Sequence, residues 1–372
     1  MSRFYVTTTV PAGDALELVQ ADVLARHRRL RGDRVRFLAG PGAQALRAPL
    51  ALSFNFTAPD FTAPDFTAPD VTAPDSAVHE TGKPTRALRL SGYAGRLHDL
   101  ISSGELRIEP ATCRDEVLAH IAAGLPDCDI ERPGYITSLG PDYRRWWAGA
   151  ERRAHVISRD TLFFHAVHWP ALLLSEGVPL PTDVLVHAAT DVDAADLVER
   201  YGADAVRWCL LRETDIARLV PRANADLAND LGRLVDQATA MVHRYRHSRP
   251  PDASPEASEL AEVCRGVPER VHEALTVFDF GAATTAVWRL VRAANDYAAA
   301  ARPWDLARAE RDGDTKAGDR LDTTLATLLM ACRVLAYELT PFLPTLATRI
   351  AEQCISLTGE LAPTQPLYPK LR

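Results

Sequence analysis

Residues 154–212 constrain the fold more than any other stretch of this chain. His155-Val156-Ile157 is a short apolar run of strand type, rich in β-branched residues. Ser158-Arg159-Asp160 turns it into Thr161–Ser175, which is apolar nearly all round, as a helix buried on more than one side must be. Pro170 is expected to kink that helix and Gly177 to end it. Val184-Leu185-Val186 reads as a second buried strand. Asp193 is a good N-cap for Ala194–Arg200, and Gly202 separates that helix from Ala203–Arg212. Strand, crossover helix, strand and helix make a βαβ unit, and therefore a parallel sheet with both faces covered. Ligands of such sheets sit at the carboxyl ends of the strands. Ser158, Arg159, Asp160 and His187 fall there.

A second unit of the same kind opens the chain. Phe4–Val10 reads as a strand, Asp14-x-x-Glu17 as an acidic form of the capping box, and Leu16, Val19, Val23, Leu24, His27 and Leu30 as one helix face ending at Gly32. Arg34–Ala39 is the next strand. Residues 56–75 are a low-complexity repeat, Phe-Thr-Ala-Pro-Asp three times and then Val-Thr-Ala-Pro-Asp. Its regular prolines forbid a helix, and one apolar residue in five builds no core, so an extended, disordered or semi-rigid loop is expected. Tyr93–Ser103 and Arg114–Ala123 read as short amphipathic helices. Beyond Ala203 strand signals cease, and helices are expected over Arg222–Arg246, Glu256–Leu275, Gly281–Ala301, Arg320–Leu339 and Leu343–Cys354.

The quoted stretches carry a resemblance. "HVISRDTLFFHAVHWPALLLSEGVPLP", "VLVH", "DLVERYGADAVRWCLLRE" and the earlier "ADVLARHRRLRG" resemble the catalytic core of the methionyl-tRNA synthetase family. "RANADLANDLGRLV", "VFDFGAATTAVWRLVRAANDYAAAARPWDLA" and "LTPFLP" resemble its helical anticodon-binding domain. The resemblance implies an α/β class: a Rossmann-like core with a parallel sheet, followed by an α-helical bundle. The expected segments are 1–50 and 154–202 for the two halves of the core, 51–84 for the repeat loop, 85–153 for a reduced connective region, and 203–372 for the helical domain.

Three departures from the family pattern fall on its chemistry. Where the family has His-Ile-Gly-His for ATP, this chain reads Pro11, Ala12, Gly13 and Asp14. Only the glycine is kept, proline donates no hydrogen bond to phosphate, and aspartate repels one. Where the family places an aspartate on the methionine amino group, this chain has Gly42. Where the family carries a lysine-rich loop for the leaving pyrophosphate, Ala188–Ala195 joins strand to helix directly, and no lysine occurs between Lys83 and Lys316.

Other positions are kept in part. Tyr135, His165 and Trp169 match residues lining the family's methionine pocket; a core histidine beside a core indole is the competing reading of the last two. Gly13, Arg159, Asp160 and His187 are the remnants of a nucleotide site, with Asp160 also placed to cap the following helix. Trp304 matches the tryptophan that stacks on an anticodon base, or packs a helix junction. Arg233 and Gln237 replace that domain's asparagine and arginine readers, while Arg222, Arg244 and Arg246 offer phosphate contacts or a solvated helix face.

Composition limits the partners. The formal net charge of −7 gives no general attraction to nucleic acid, so RNA binding needs a local basic face. Six cysteines form no Cys-x-x-Cys pair, so no zinc is expected and the thiols read as those of a reduced, cytoplasmic protein. His165-x-x-His168 alone is weak evidence for a metal. No long uncharged apolar run occurs, so no membrane association is expected. ATP enters by resemblance only. The functional expectation is a catalytically degenerate relative acting through weak, non-specific tRNA binding or through a protein partner. The alternative is a diverged ATP-dependent, amino-acid-activating ligase.

Overall fold

A computed structural model describes residues 2–8, 14–39, 43–53, 56–57, 86–130, 144–187, 193–212, 215–356 and 358–372. Apart from Phe56 and Thr57, the Thr-Ala-Pro-Asp repeat lies outside them. The chain forms two compact units. The first comprises residues 1–21, 28–45 and 53–191, and the second residues 22–27, 46–52 and 192–372.

The first unit is built on a parallel sheet. In chain order its elements are β1 (Arg3–Thr8), α1 (Ala15–Leu30), β2 (Arg34–Ala39), α2 (Gln44–Arg47), β3 (Phe56–Thr57), β4 (Arg86–Leu88), α3 (Ala94–Ser103), β5 (Arg107–Glu109), α4 (Ala111–Ala123), β6 (Cys128–Ile130), β7 (Arg152–Ser158), α5 (Trp169–Ser175) and β8 (Asp183–His187). Six strands run in the order β3-β2-β1-β7-β8-β5, every pair parallel, and β4 and β6 form a separate antiparallel pair. From β1 the chain moves outward to β2, and from β7 it moves outward the other way to β8. The strand order therefore reverses between β1 and β7, the position where doubly wound sheets open a ligand crevice.

Burial follows the expected pattern. β8 is buried at all five positions and β1 at its last five, as befits strands covered on both faces. Asp14 caps α1, its Oδ1 accepting from the Leu16 N–H at 3.0 Å. Gly32, at φ +91°, turns the chain from α1 into β2, a conformation that a side chain would strain.

Two local features differ from the sequence reading. The helix expected over 161–175 is three pieces: a tight turn at Arg159–Thr161, a wide π-type turn at Phe164–His168, and α5. Pro170 lacks an N–H, so the ladder cannot close normally across it and the turn before it widens. In the region read as connective, β5 adds a strand beside β8. Its three residues are too few to show a period.

The second unit is helical. Its segments are α6 (Ala194–Tyr201), α7 (Ala203–Arg212), α8 (Leu219–Ala223), a wide-turn stretch Asn224–Gly232, α9 (Arg233–Arg246), α10 (Glu259–Thr276), α11 (Phe280–Ala301), α12 (Pro303–Arg311), α13 (Thr315–Leu339) and α14 (Pro344–Cys354). Asp193 caps α6 by accepting from the Ala195 and Asp196 N–H groups. Gly202 separates α6 from α7 as expected. α12 was not anticipated. Arg302, at φ +47°, breaks the α11 helix, and Pro303 supplies the preset φ of a new first turn.

Arg207 is the polar hub of this unit. It is 0% exposed, pairs with Asp22 at 2.8 Å, and donates to the carbonyls of Leu50, Pro341 and Phe342. Trp208 stacks against Trp288 at 4.4 Å and donates to Asp226. The last residues return over α9: Leu367 N–H donates to Asp236, and Asn224 both donates to and accepts from Leu371. Among the described residues no helix is long and apolar enough to cross a membrane.

Candidate functional site

The two faces of the sheet carry different chemistry to its carboxyl end. The Arg28 guanidinium of α1 lies 5.1 Å over the Phe4 ring, so Phe4 faces α1, and by strand alternation so do Val6 and Thr8. Tyr5 faces the other way, meeting Trp147 edge-on at 5.3 Å.

On the α1 face, His187 closes β8. Its ring reaches back to the start of α1, with Nε2 3.3 Å from Glu17 Oε2 and Nδ1 3.6 Å from Asp14 Oδ2. Glu17 is 1% exposed and His187 is buried. Asp14 and Glu17 stand three apart on one helix, so both carboxylates turn to the same side. Thr8, at the end of β1, is 4% exposed, and its hydroxyl has no hydrogen-bond partner. A remnant read as nucleotide-binding is therefore an imidazole held by two carboxylates. The sequence reading treated Glu17 only as a capping residue and did not single out Thr8. The Asp14-x-x-Glu17 spacing was the available signal.

On the opposite face lies an aromatic cluster. Trp147 contacts His155 and Trp169 edge-on at 5.7 and 6.5 Å and donates its N–H to the Pro179 carbonyl. Phe164 stacks on Trp169 at 6.4 Å. His155 and His165 share a hydrogen bond, Nδ1 to Nδ1, at 3.1 Å. Burial pushes both imidazoles down, His155 to about 3 with Arg153 adding to the effect, and His165 well below the usual range with His155 adding to it. Both rings are thus neutral, one donating and one accepting. His165 and Trp169 come together as expected. His155, Tyr5 and Trp147 complete the cluster and were not singled out as site residues from the sequence. Their partnership is long-range and leaves no local spacing. His168 sits apart, with its Nδ1 3.2 Å from the Phe163 carbonyl. Among the described residues no three His, Cys, Asp or Glu side chains converge as metal ligands do.

The rim carries Arg159 and Asp160. Arg159 pairs with Glu116 of α4 at 2.6 Å, both exposed, so its charge is answered within the chain. Asp160 lies exposed inside the tight turn. The cap position belongs to Ser158, whose side chain makes no cap hydrogen bond, so the expected capping by Asp160 is not what is found. Its place two residues past the cap, within the turn itself, is the reason. Pro11, Gly13, Gly42, Tyr135 and residues 188–192 lie outside the described residues.

The comparisons with known proteins agree with the fold. Residues 134–239 match the family model for class I tRNA synthetases (M). The methionine–tRNA ligase of Caldanaerobacter subterraneus subsp. tengcongensis is 29% identical over 75% of this chain and 51% of its own length. That of Nostoc sp. is 31% identical over 71% of this chain and 59% of its own length. The apo Mycobacterium tuberculosis methionyl-tRNA synthetase superposes with a TM-score of 0.84 at 26% identity, covering 100% of this chain and 99% of that one. The chain belongs to the methionyl-tRNA synthetase family. It spans about half to three fifths of the length of these two ligases.

Within that family framework the helical unit presents three positions singled out from the sequence. Arg233 and Gln237 are exposed one turn apart on α9. Trp304, at the start of α12, is 45% exposed. The neighbouring arginines are committed elsewhere. Arg246 pairs with Glu310 and Asp322, Arg222 lies 3.8 Å from Asp226, and Arg244 stacks over Tyr245.

Proposed function

We propose that this methionyl-tRNA synthetase relative does not activate methionine with ATP and acts instead through weak RNA binding by its helical unit. The observation that carries the first part is the Asp14–His187–Glu17 cluster. Phosphate transfer needs donors and positive charge where negative charge develops. Here two carboxylates stand at the start of α1, where the dipole of a helix would otherwise favour an anion. Arg159, a cation at this rim, pairs with Glu116 at 2.6 Å. The departures at Pro11, Gly42 and 188–195 point the same way.

RNA binding is supported by the relatives' activity as methionine–tRNA ligases and by the exposed Trp304, Arg233 and Gln237. A base stacked on an exposed aromatic ring gains about 1–3 kcal/mol. Arginine and glutamine present a different donor pattern from the asparagine and arginine they replace, so specificity falls further than affinity. The net charge of −7 opposes binding and leaves it dependent on a few phosphate contacts. Titration of initiator tRNA and an unrelated tRNA at two salt concentrations tests this. Similar, weak affinities that fall steeply with salt, and fall again in Trp304→Ala, are expected. Tight binding selective for initiator tRNA would contradict it, as would no binding at low salt.

A further inference from the structure

We propose that the amino end of the sheet, on the face turned away from α1, is a docking surface for an acidic segment of a partner protein. It lies at the opposite end of the strands from the crevice between β1 and β7, and it shares no residue with the RNA contacts of the helical unit.

Strand register places the surface. Arg3 and Arg34 are partners on β1 and β2, as are Tyr5 and Arg36. Tyr5 meets Trp147 on the face away from α1, so by alternation Arg3, Arg34 and Arg36 turn to that face too. The contacts agree. The Arg36 guanidinium lies 5.9 Å over the ring of Trp146, in the wide turn Arg144–Ala148 that precedes β7. The Arg145 guanidinium lies 5.3 Å from the same ring. Arg34 and Arg145 are exposed, and Arg3, Arg36 and Trp146 are half-buried.

The arginines of this end divide by face. On the α1 face Asp183 pairs with Arg107 and Arg152, and Asp33 with Arg28. On the other face Arg153 donates to the carbonyls of Trp147, Ala150 and Leu180. Arg3, Arg34 and Arg145 differ: among the described residues none of their guanidiniums makes an ion pair or donates a hydrogen bond. Glu151 stands beside Arg3, its N–H donating to the Arg3 carbonyl at 3.0 Å, yet its carboxylate makes no ion pair among the described residues. Three unanswered guanidiniums thus face one carboxylate, in a chain with 49 acidic residues against 42 basic ones. The register sets Arg3 beside Arg34, like charges on neighbouring strands, which is unfavourable until an anion answers them.

Trp146 narrows the class of anion. Indole and guanidinium groups carry much of the energy at contacts between proteins. The Trp146 ring already carries two guanidiniums, so it is no open platform for the base stacking that a single-stranded nucleic acid uses. Carboxylates accept from guanidinium forks in pairs of hydrogen bonds. A segment with carboxylates for Arg3, Arg34 and Arg145 and an apolar side chain for the rim of Trp146 fits this face.

Fluorescence anisotropy of the peptide Glu-Gly-Glu-Phe-Glu-Gly-Glu, labelled at its N-terminus and amidated, tests the proposal with the full chain at low and at physiological salt. Saturable binding that weakens with salt is expected, with none for the same peptide carrying glutamine in place of glutamate. Arg34→Glu and Arg145→Glu should each weaken binding about fivefold or more and leave Tm unchanged, because both side chains are exposed. A uridine pentanucleotide with as many phosphates as the peptide has glutamates should bind less tightly. Titration of tRNA should give the same result for Arg34→Glu as for wild type. No saturable peptide binding, full binding in both variants, or a pentanucleotide that binds as tightly as the peptide would overturn the proposal. A loss of tRNA binding in Arg34→Glu as large as the loss of peptide binding would also overturn it, by assigning the face to RNA.

Discussion

At the scale of single residues, Arg207 shows how much of this molecule depends on one polar side chain. Its guanidinium is fully buried, paired with Asp22 and bonded to three backbone carbonyls. Removing one partner of such a group leaves the other charge buried alone, at a cost of about 3–5 kcal/mol. Arg207→Met is therefore expected to lower the urea midpoint steeply. Arg207→Met combined with Asp22→Leu should recover part of the loss; a single variant within about 0.5 kcal/mol of wild type would contradict the burial, because that is the scale of surface substitutions. None of this was legible beforehand. An arginine inside an apolar helix reads as a solvated position until its partners, far away in sequence, are known. Asp193 and Gly202 were legible, because a cap and a helix stop act on their own neighbours.

At the scale of elements, the strand β7 and the wide turn before α5 are joined by the His155–His165 bond. Both imidazoles are depressed in the folded chain, so each stays neutral where its unfolded counterpart takes up a proton. The stability they allow is complete above pH about 6.5, the ordinary histidine value, and declines as pH falls below it toward about 3 for His155. Each such histidine contributes a slope of up to ~1.4 kcal/mol per pH unit in that window. Urea unfolding at a series of pH values should show this slope in the wild type and a shallower one in His155→Asn. Equal slopes would show that the pair is not buried neutral. The sequence pattern indicated β7, β8 and their parallel relation because apolar runs and turn residues are local signals. It missed β5, which has three residues, and α12, where Arg302 adopts a left-handed conformation that its identity does not announce. The widening at Phe164–His168 was half visible: Pro170 marked a disturbance, and its form depended on packing.

For the whole molecule, a synthetase-type parallel sheet is joined to a helical unit, and at the carboxyl end of the sheet His187 meets Asp14 and Glu17. The fold and the family were legible in long ordered stretches, whereas the site was only partly so. Departures from the family pattern at Pro11, Asp14 and Gly42 can be read directly from the sequence. The contact of His187 with Asp14 and Glu17 comes from β8 and the start of α1 together and needs the fold to be seen. The central proposal is that this chain does not form a methionyl adenylate. Removing even one transition-state donor lowers rates by about 10²–10³, and several are replaced here. The most direct measurement is methionine-dependent exchange of radiolabelled pyrophosphate into ATP by the purified full chain, with a heat-inactivated control. No exchange above that control is the expected result; clear exchange that requires methionine would contradict the account.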